Sequence, residues 1–211
     1  MKPKIVFIIL LLGASVCSIY AQTIGELFVK FPESELLTLT GSDRQGLIRL
    51  YKAGEKAVIK NRLNDSCSML RLTNDYLQIQ TGNNTMELFL LPMINDSKII
   101  GLIQTVCAPV CDSYLEFYTT SWKKLTTSVF ISFAGKNDFL KDGVQLADEK
   151  VQNALIPLDI VLMKLHYDPE QKELHQYYTT PDYLSETDKE TVMPYLIEMP
   201  KRFKWNLTRF E

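Results

Sequence analysis

The strongest constraint on the fold is a run of short, alternating segments between residues 57 and 119. Apolar and polar side chains alternate along each segment, and clusters of asparagine, aspartate and glycine separate one segment from the next. A period of two with turn residues between the segments is typical of β-strands joined by hairpins. The six segments are AVIKNRL, CSMLRLT, YLQIQT, TMELFLLP, KIIGLIQTVC and SYLEFYTT. We therefore predict an antiparallel meander as the centre of the fold.

Two short helices are predicted before this meander. Thr23 and Glu26 have the spacing of a capping box, and Pro32 ends the first helix. Ser42 and Gln45 repeat the capping spacing before the second. The strand TMELFLLP has one apolar face and one mixed face, so we expect the helices to cover the first and water to reach part of the second. The predicted fold class is α+β, an antiparallel β-meander sheet with short helices packed on one face.

A smaller set of elements is predicted in the second half of the chain. VQLADEKVQNAL has the pattern of a helix, and LDIVLMKLHYD and ELHQYYTT form a strand pair around the turn PEQK. Another helix follows, with Ser185 and Asp188 at capping spacing, and KRFKWNL alternates as a final strand. We expect one α+β domain over residues 22–211, divisible into sub-lobes at about 22–127 and 128–211.

The first residues predict export from the cytoplasm. Two lysines precede an apolar run, and the small residue Ala21 ends the segment. This is the order of a secretory signal peptide, so we predict one over residues 1–21, cleaved before Gln22. The protein is then periplasmic or secreted. A lipoprotein anchored through Cys17 is the disfavoured alternative, because Val16 stands where such a signal has a small residue.

Composition and charge exclude several classes of partner. The 211 residues carry a formal net charge of −2. This mild acidity argues against nucleic acid or an anionic membrane surface as the main partner. After the signal peptide, no segment is long enough to cross a bilayer. We predict a soluble monomer or weak oligomer that needs no cofactor and binds an unknown envelope or extracellular ligand.

Several phrases of the sequence together resemble one protein family. They are NRLNDSCSMLRLTNDYLQIQ, MELFLLP, TVCAPVCDSYLEFYTTSW and YYTTPDYLSETDKETVMPYLIEMPKRFKWN. In this order they resemble the domain-of-unknown-function family 3256, exported proteins of Bacteroidales, over nearly all of the chain after the signal peptide. The resemblance implies a Gram-negative periplasmic or secreted setting. It implies no activity, cofactor or catalytic residue.

Cys107 and Cys111 are the first candidates for chemistry. A redox pair of the C-x-x-C type depends on a helix N-terminus to lower the thiol pKa, whereas here the spacing is longer and a strand pattern follows. The stretch TVCAPVCDS also faintly resembles the C-x-x-x-C motif of the copper-binding Sco family, and thiolates suit Cu(I). That motif, however, lies between a strand and a helix. We favour a structural disulfide over a metal or redox pair and over unpaired thiols. Cys67 is predicted to be a half-buried thiol, and a bridge from it to Cys107 or Cys111 is the alternative that the sequence leaves open.

His166 and His175 are the only histidines of the chain. A hairpin closed by YDPEQKE would place them opposite each other, with Glu173 on the same face as His175. Two imidazoles and a carboxylate form a ligand set that suits zinc. A metal-handling or hydrolytic protein using these residues is therefore the alternative function. Histidines on an exposed sheet face explain the pattern without a metal, and this is the favoured interpretation.

Tyrosines on strands provide a second candidate site. Tyr114, Tyr118 and Tyr177 are the predicted ligand-binding residues, because aromatic walls on a sheet suit a sugar or a peptide. Packing of the same rings against a helix is the structural alternative. The sequence contains no G-x-S-x-G or H-E-x-x-H motif, and we assign no catalytic residue. It favours a non-catalytic binding or envelope-accessory module over an enzyme.

Overall fold

The larger of two antiparallel sheets contains seven strands that follow one another in sequence order. The computed structural model describes residues 22–211, and the predicted signal peptide with Cys17 lies outside them. The strands are β1 (Val58–Lys60), β2 (Ser66–Leu72), β3 (Tyr76–Thr81), β4 (Asn84–Pro92), β5 (Lys98–Cys107), β6 (Cys111–Thr119) and β7 (Lys124–Leu125). Every neighbouring pair is antiparallel, which confirms the predicted meander.

Within residues 22–211, a smaller sheet and five α-helices complete the fold. The smaller sheet has the order β10-β9-β8, formed by β8 (Met163–Asp168), β9 (Glu173–Tyr178) and β10 (Lys201–Lys204). The helices are α1 (Ile24–Val29), α2 (Gly41–Lys52), α3 (Thr127–Phe130), α4 (Glu149–Leu155) and α5 (Glu186–Val192). Short 3₁₀ turns lie at Lys136–Phe139, Thr180–Tyr183 and Met193–Tyr195. The α+β class is confirmed. Within residues 22–211 no helix has the length and apolar content that crossing a membrane requires.

Local capping fixes where the first two helices begin. At α1 the predicted box is present: the Glu26 N–H donates to Thr23 Oγ1 at 3.3 Å, and the Thr23 N–H donates to the Glu26 carboxylate. Helix α2 begins earlier than the predicted start at Ser42. Its cap is Thr40, whose N–H donates to Asp43 Oδ2 at 2.8 Å, while the Asp43 N–H donates back to Thr40 Oγ1. Ser42–Gln45 and Thr40–Asp43 both have the spacing of a capping box. The second pair forms, and its acceptor is a charged carboxylate, which gives the stronger hydrogen bond.

Helices α1 and α2 cover one face of the large sheet, as predicted. Leu27 and Phe28 of α1 are completely buried against the sheet. The indole of Trp122 closes this layer by donating from Nε1 to the Leu27 carbonyl at 3.2 Å. The strand residues beneath the helices include Leu88, Leu90, Ile100 and Leu102. Burying each such side chain stabilises the fold by about 1.5–3 kcal/mol.

Most of the second face of the large sheet is also buried, so the prediction of a partly wet face holds only near one end of β3, where Gln78 is half-buried and Gln80 is exposed. The small sheet and the C-terminus cover it, and Phe89 of β4 stacks on Tyr167 of β8 with ring centroids 3.9 Å apart. Gly101 of β5 lies opposite Phe89, and a Cβ atom there would collide with the Phe89 ring. The single carboxylate Glu87 made this face look mixed. It is nevertheless only 3% exposed.

The outer edge of β8 is turned toward the large sheet and is held by side chains. The N–H groups of alternate β8 residues point away from β9, and each finds an acceptor on the large sheet. The pairs are Met163 N with Asp112 Oδ1 (3.0 Å), Leu165 N with Ser113 Oγ (3.0 Å) and Tyr167 N with Glu87 Oε2 (3.1 Å). The backbone N–H groups at a free sheet edge have no partner strand, and burying them unpaired would cost free energy. These three hydrogen bonds supply the missing acceptors.

Candidate functional site

A cleft of about 310 Å³ lies where β8 and β9 meet the β3–β4 end of the large sheet. We call it the histidine cleft. The large sheet contributes Gln78, Asn83, Thr85, Glu87, Thr105 and Cys107, and the small sheet contributes Lys164, His166 and Tyr177. Almost every lining residue is polar, although the cleft borders the apolar core between the sheets. Polar groups that converge in a concavity are typical of a binding site.

Glu87 is the buried centre of this cleft. Its carboxylate accepts hydrogen bonds from the Tyr76 hydroxyl at 3.0 Å, from the Tyr167 N–H at 3.1 Å and from His166 Nδ1 at 3.1 Å. A buried carboxylate is tolerated when donors replace its lost hydration, and three donors do so here. Burial, together with the nearby Glu87 charge, raises the pKa of Tyr76, so its hydroxyl remains a donor.

His166 presents the free edge of its ring to the histidine cleft. Its side chain is 40% exposed, and its Nδ1 is held by Glu87. The hydrogen bond to Glu87 raises the pKa of His166, which favours the protonated ring with Nε2–H as a second donor. Nε2 has no hydrogen bond to any residue in 22–211. The exposed Lys164 lies two residues earlier on the same strand face, so one wall carries an ammonium group beside the imidazole.

His175 and Glu173 lie beside the cleft but do not line it. His175 pairs directly with His166 across the hairpin, as predicted, and the ring centroids are 6.3 Å apart. Its Nε2 approaches Glu173 Oε2 at 3.5 Å. The structure thus brings His175 and Glu173 together and gives His166 a different carboxylate, Glu87. Within residues 22–211 no group of three or more histidine, cysteine, aspartate or glutamate side chains could hold a metal ion.

The three predicted ligand-binding tyrosines do not share one groove. Tyr177 of β9 lines the histidine cleft. Tyr114 of β6 is 49% exposed and borders a separate hollow beside Phe133. Tyr118 is 4% exposed, and its ring packs edge-on against Trp122 with centroids 5.5 Å apart. Only Tyr177 therefore belongs to the candidate site.

A disulfide fixes one rim of the cleft. Cys107 and Cys111 are bonded to each other and pair directly at the end of the β5–β6 hairpin. The Cys111 carbonyl accepts a hydrogen bond from Thr179 Oγ1 at 2.8 Å, which ties the hairpin end to the chain after β9. Cys67 is completely buried rather than half-buried. Burial raises the pKa of the Cys67 thiol, so this cysteine is unreactive in the folded protein.

Glu87 is the central residue of the site that the sequence analysis missed. No motif surrounds it, and its partner His166 lies 79 residues further along the chain. One feature of the sequence did point to Glu87. The segment MELFLLP places a single carboxylate among the apolar residues of a long strand. A charge in such a position is rarely left without partners.

The comparisons with other proteins agree with the sequence resemblance. A family model described as "Protein of unknown function (DUF3256)" matches residues 16–210. A solved structure of a domain of an uncharacterized protein from Porphyromonas gingivalis W83 is 26% identical, with a TM-score of 0.81 over 90% of this chain and 99% of that chain. No curated protein matches. The chain therefore belongs to DUF3256, a family of proteins of unknown function.

Proposed function

We propose that the protein is an exported, non-catalytic binding or envelope-accessory module that holds an anionic group of its ligand in the histidine cleft. The observation that carries the proposal is the position of His166. The buried Glu87 orients its ring through Nδ1, and Lys164 stands beside it on the same wall. A ring held by a buried carboxylate is preorganised, so less conformational freedom is lost when a ligand binds.

The charge balance of the cleft favours an anion. Glu87 is paired with His166 at 3.1 Å, whereas Lys164 has no carboxylate within salt-bridge distance among residues 22–211. Lys164 is therefore the cation of the cleft that is available to an anion. Gln78 and Asn83 on the opposite wall offer side-chain amides that can both donate and accept. A carboxylate placed between these walls would accept charge-assisted hydrogen bonds, which are roughly twice as strong as neutral ones.

A hydrolytic role is the second candidate, because a histidine oriented by a carboxylate is the arrangement of a general base. Such a role also needs a nucleophile or a bound water next to the free ring nitrogen. The hydroxyls of the cleft belong to Thr85, Thr105 and Tyr177. That of Thr105 is engaged with Ser113 Oγ at 2.7 Å, and within residues 22–211 none of the three is hydrogen-bonded to His166. No hydroxyl is therefore activated by a hydrogen bond to His166, and the arrangement supports binding better than catalysis.

Export is supported by the charged-apolar-small order of the N-terminal residues and by the Cys107–Cys111 disulfide. Disulfides persist in oxidising compartments such as the periplasm and are rare in the cytosol. The test is the intact mass of the native protein after cell fractionation. We expect a mature chain that begins at Gln22 in the periplasmic or secreted fraction. A lipid-modified chain beginning at Cys17 would instead establish a lipoprotein.

Binding is tested with a small carboxylate and its neutral counterpart. We expect N-acetylglycine, but not N-acetylglycinamide, to shift the NMR signals of the His166 and Tyr177 rings. The variant Lys164→Gln should weaken this response severalfold. Lys123→Gln is the matched control, because this exposed lysine lies between β6 and β7, outside the lining of the cleft. Equal responses to both compounds, or none, would contradict the proposal.

A further inference from the structure

A second cavity of about 410 Å³ borders the histidine cleft. The two spaces share Lys164 and Tyr177, which are directly paired across β8 and β9. They therefore lie on either side of one cross-strand pair. Neighbouring residues of an extended chain are about 3.3 Å apart along its axis. One ligand a few residues long can thus enter both spaces.

The second cavity differs chemically from the histidine cleft, and we call it the apolar cavity. Its lining includes the side chains of Tyr178, Pro181, Met193, Leu196 and Ile197. The charged residues at its rim include Asp182 and Lys189, which pair with each other at 2.7 Å. The other charged residues of the lining are Glu198 and Lys164, the second of which is shared with the histidine cleft. Because Lys189 is already paired, the contribution of this cavity that the histidine cleft lacks is its apolar surface.

We propose that the ligand is a peptide with a free C-terminal carboxylate. The carboxylate lies in the histidine cleft beside His166 and Lys164, and an apolar side chain one or two residues earlier fills the apolar cavity. This inference rests on the proposed function, since it names the ligand of the same cleft. The apolar part of the lining suits a peptide side chain, whereas a sugar hydroxyl placed against Met193, Leu196 and Ile197 would lose its hydrogen bonds to water without a replacement. The amides of the histidine cleft, in contrast, can pair with peptide groups.

Three short peptides test the inference by calorimetry on the mature chain. The probes are N-acetyl-Ala-Leu-Gly with a free carboxyl end, the same peptide with alanine in place of leucine, and the leucine peptide with an amidated end. Removing the leucine side chain should weaken binding about tenfold, since its burial is lost. Amidation should also weaken binding about tenfold or more, because the charge-assisted hydrogen bonds are lost.

A variant of the apolar cavity separates this inference from the proposed function. Ile197→Asp places a charge in the cavity, and the half-buried position tolerates a polar side chain. It should abolish the preference for the leucine peptide, measured as the ratio of the affinities of the variant for the leucine and alanine peptides. An unchanged circular dichroism spectrum shows that the variant is folded. If Ile197→Asp does not fold, Met193→Gln takes its place with the same expectation.

The possible failures are distinguishable. If the leucine and alanine peptides bind equally while amidation still weakens both, the apolar cavity is not part of the site and the anion-binding proposal stands. If neither the peptides nor N-acetylglycine perturb His166, both proposals fail. If the amidated peptide binds as well as the free acid, recognition of a C-terminal carboxylate is refuted.

Discussion

Replacing Glu87 with alanine is expected to loosen the small sheet from the large one. The substitution removes the acceptor of three hydrogen bonds, two of which come from buried groups, the Tyr76 hydroxyl and the Tyr167 N–H. Each buried donor left unpaired costs about 1–3 kcal/mol. His166 is 40% exposed and can turn to water, so it adds little. We expect a loss of about 2–6 kcal/mol from a total stability of about 5–15 kcal/mol.

The assay is urea unfolding at neutral pH, followed by tryptophan fluorescence. The two tryptophans report on different layers, since Trp205 lies in the core between the sheets and Trp122 packs on the side of α1. Early loss of the Trp205 signal in the Glu87→Ala variant would show that the small sheet detaches first. A change in the denaturant slope would accompany this, because two-state behaviour would be lost.

Glu170→Ala is the matched control. Glu170 also joins the two sheets, because it pairs with Arg71 of β2 at 2.9 Å, but its side chain is 79% exposed. Exposed ion pairs contribute about 0–1 kcal/mol. The reasoning is refuted if Glu87→Ala costs less than about 1 kcal/mol, or no more than the control.

Three further outcomes are expected. The raised pKa of His166 makes the contact with Glu87 contribute most below the ordinary histidine pKa, and the contribution fades as pH rises through the raised value. His166→Gln should therefore destabilise the protein more at pH 5.5 than at pH 9 in urea titrations; a pH-independent difference would contradict this. Gly101→Ala should cost about 1–3 kcal/mol by driving a methyl group into the Phe89 ring, as measured by thermal unfolding, and an unchanged midpoint would exclude that collision. Alkylation followed by mass spectrometry should label no thiol in the native protein and only Cys67 after denaturation without reductant; three labelled cysteines would show that the disulfide is absent.

The meander was predictable because its signals are local. A period of two, turn residues between the strands and the capping pair Thr23–Glu26 all act over a few positions, and each recurs in the structure. The pairing of His166 with His175 was predictable for the same reason, since a short turn fixes the register of the hairpin.

The site itself was not predictable, because its contacts join distant parts of the chain. Nothing near Glu87 in the sequence indicates that β8 covers it, and the strand pattern alone is compatible with an open, wet face. The burial of Tyr118 was not predictable for the same reason. Its alternation with Tyr114 places both on one face, but the Trp122 indole and the helices bury only the second of the two.

Strand β8 uses its backbone to attach the small sheet to the large one and its side chains to line the histidine cleft. Strand β8 is attached to the large sheet by its backbone N–H groups, while the side chain of Lys164 points into the cleft from a position that contributes no N–H to that joint. Residue 164 can therefore change without disturbing how the sheets are assembled. Relatives that keep acceptors at the positions of Asp112, Ser113 and Glu87 could vary this residue, and with it the charge of the cleft, on one unchanged scaffold.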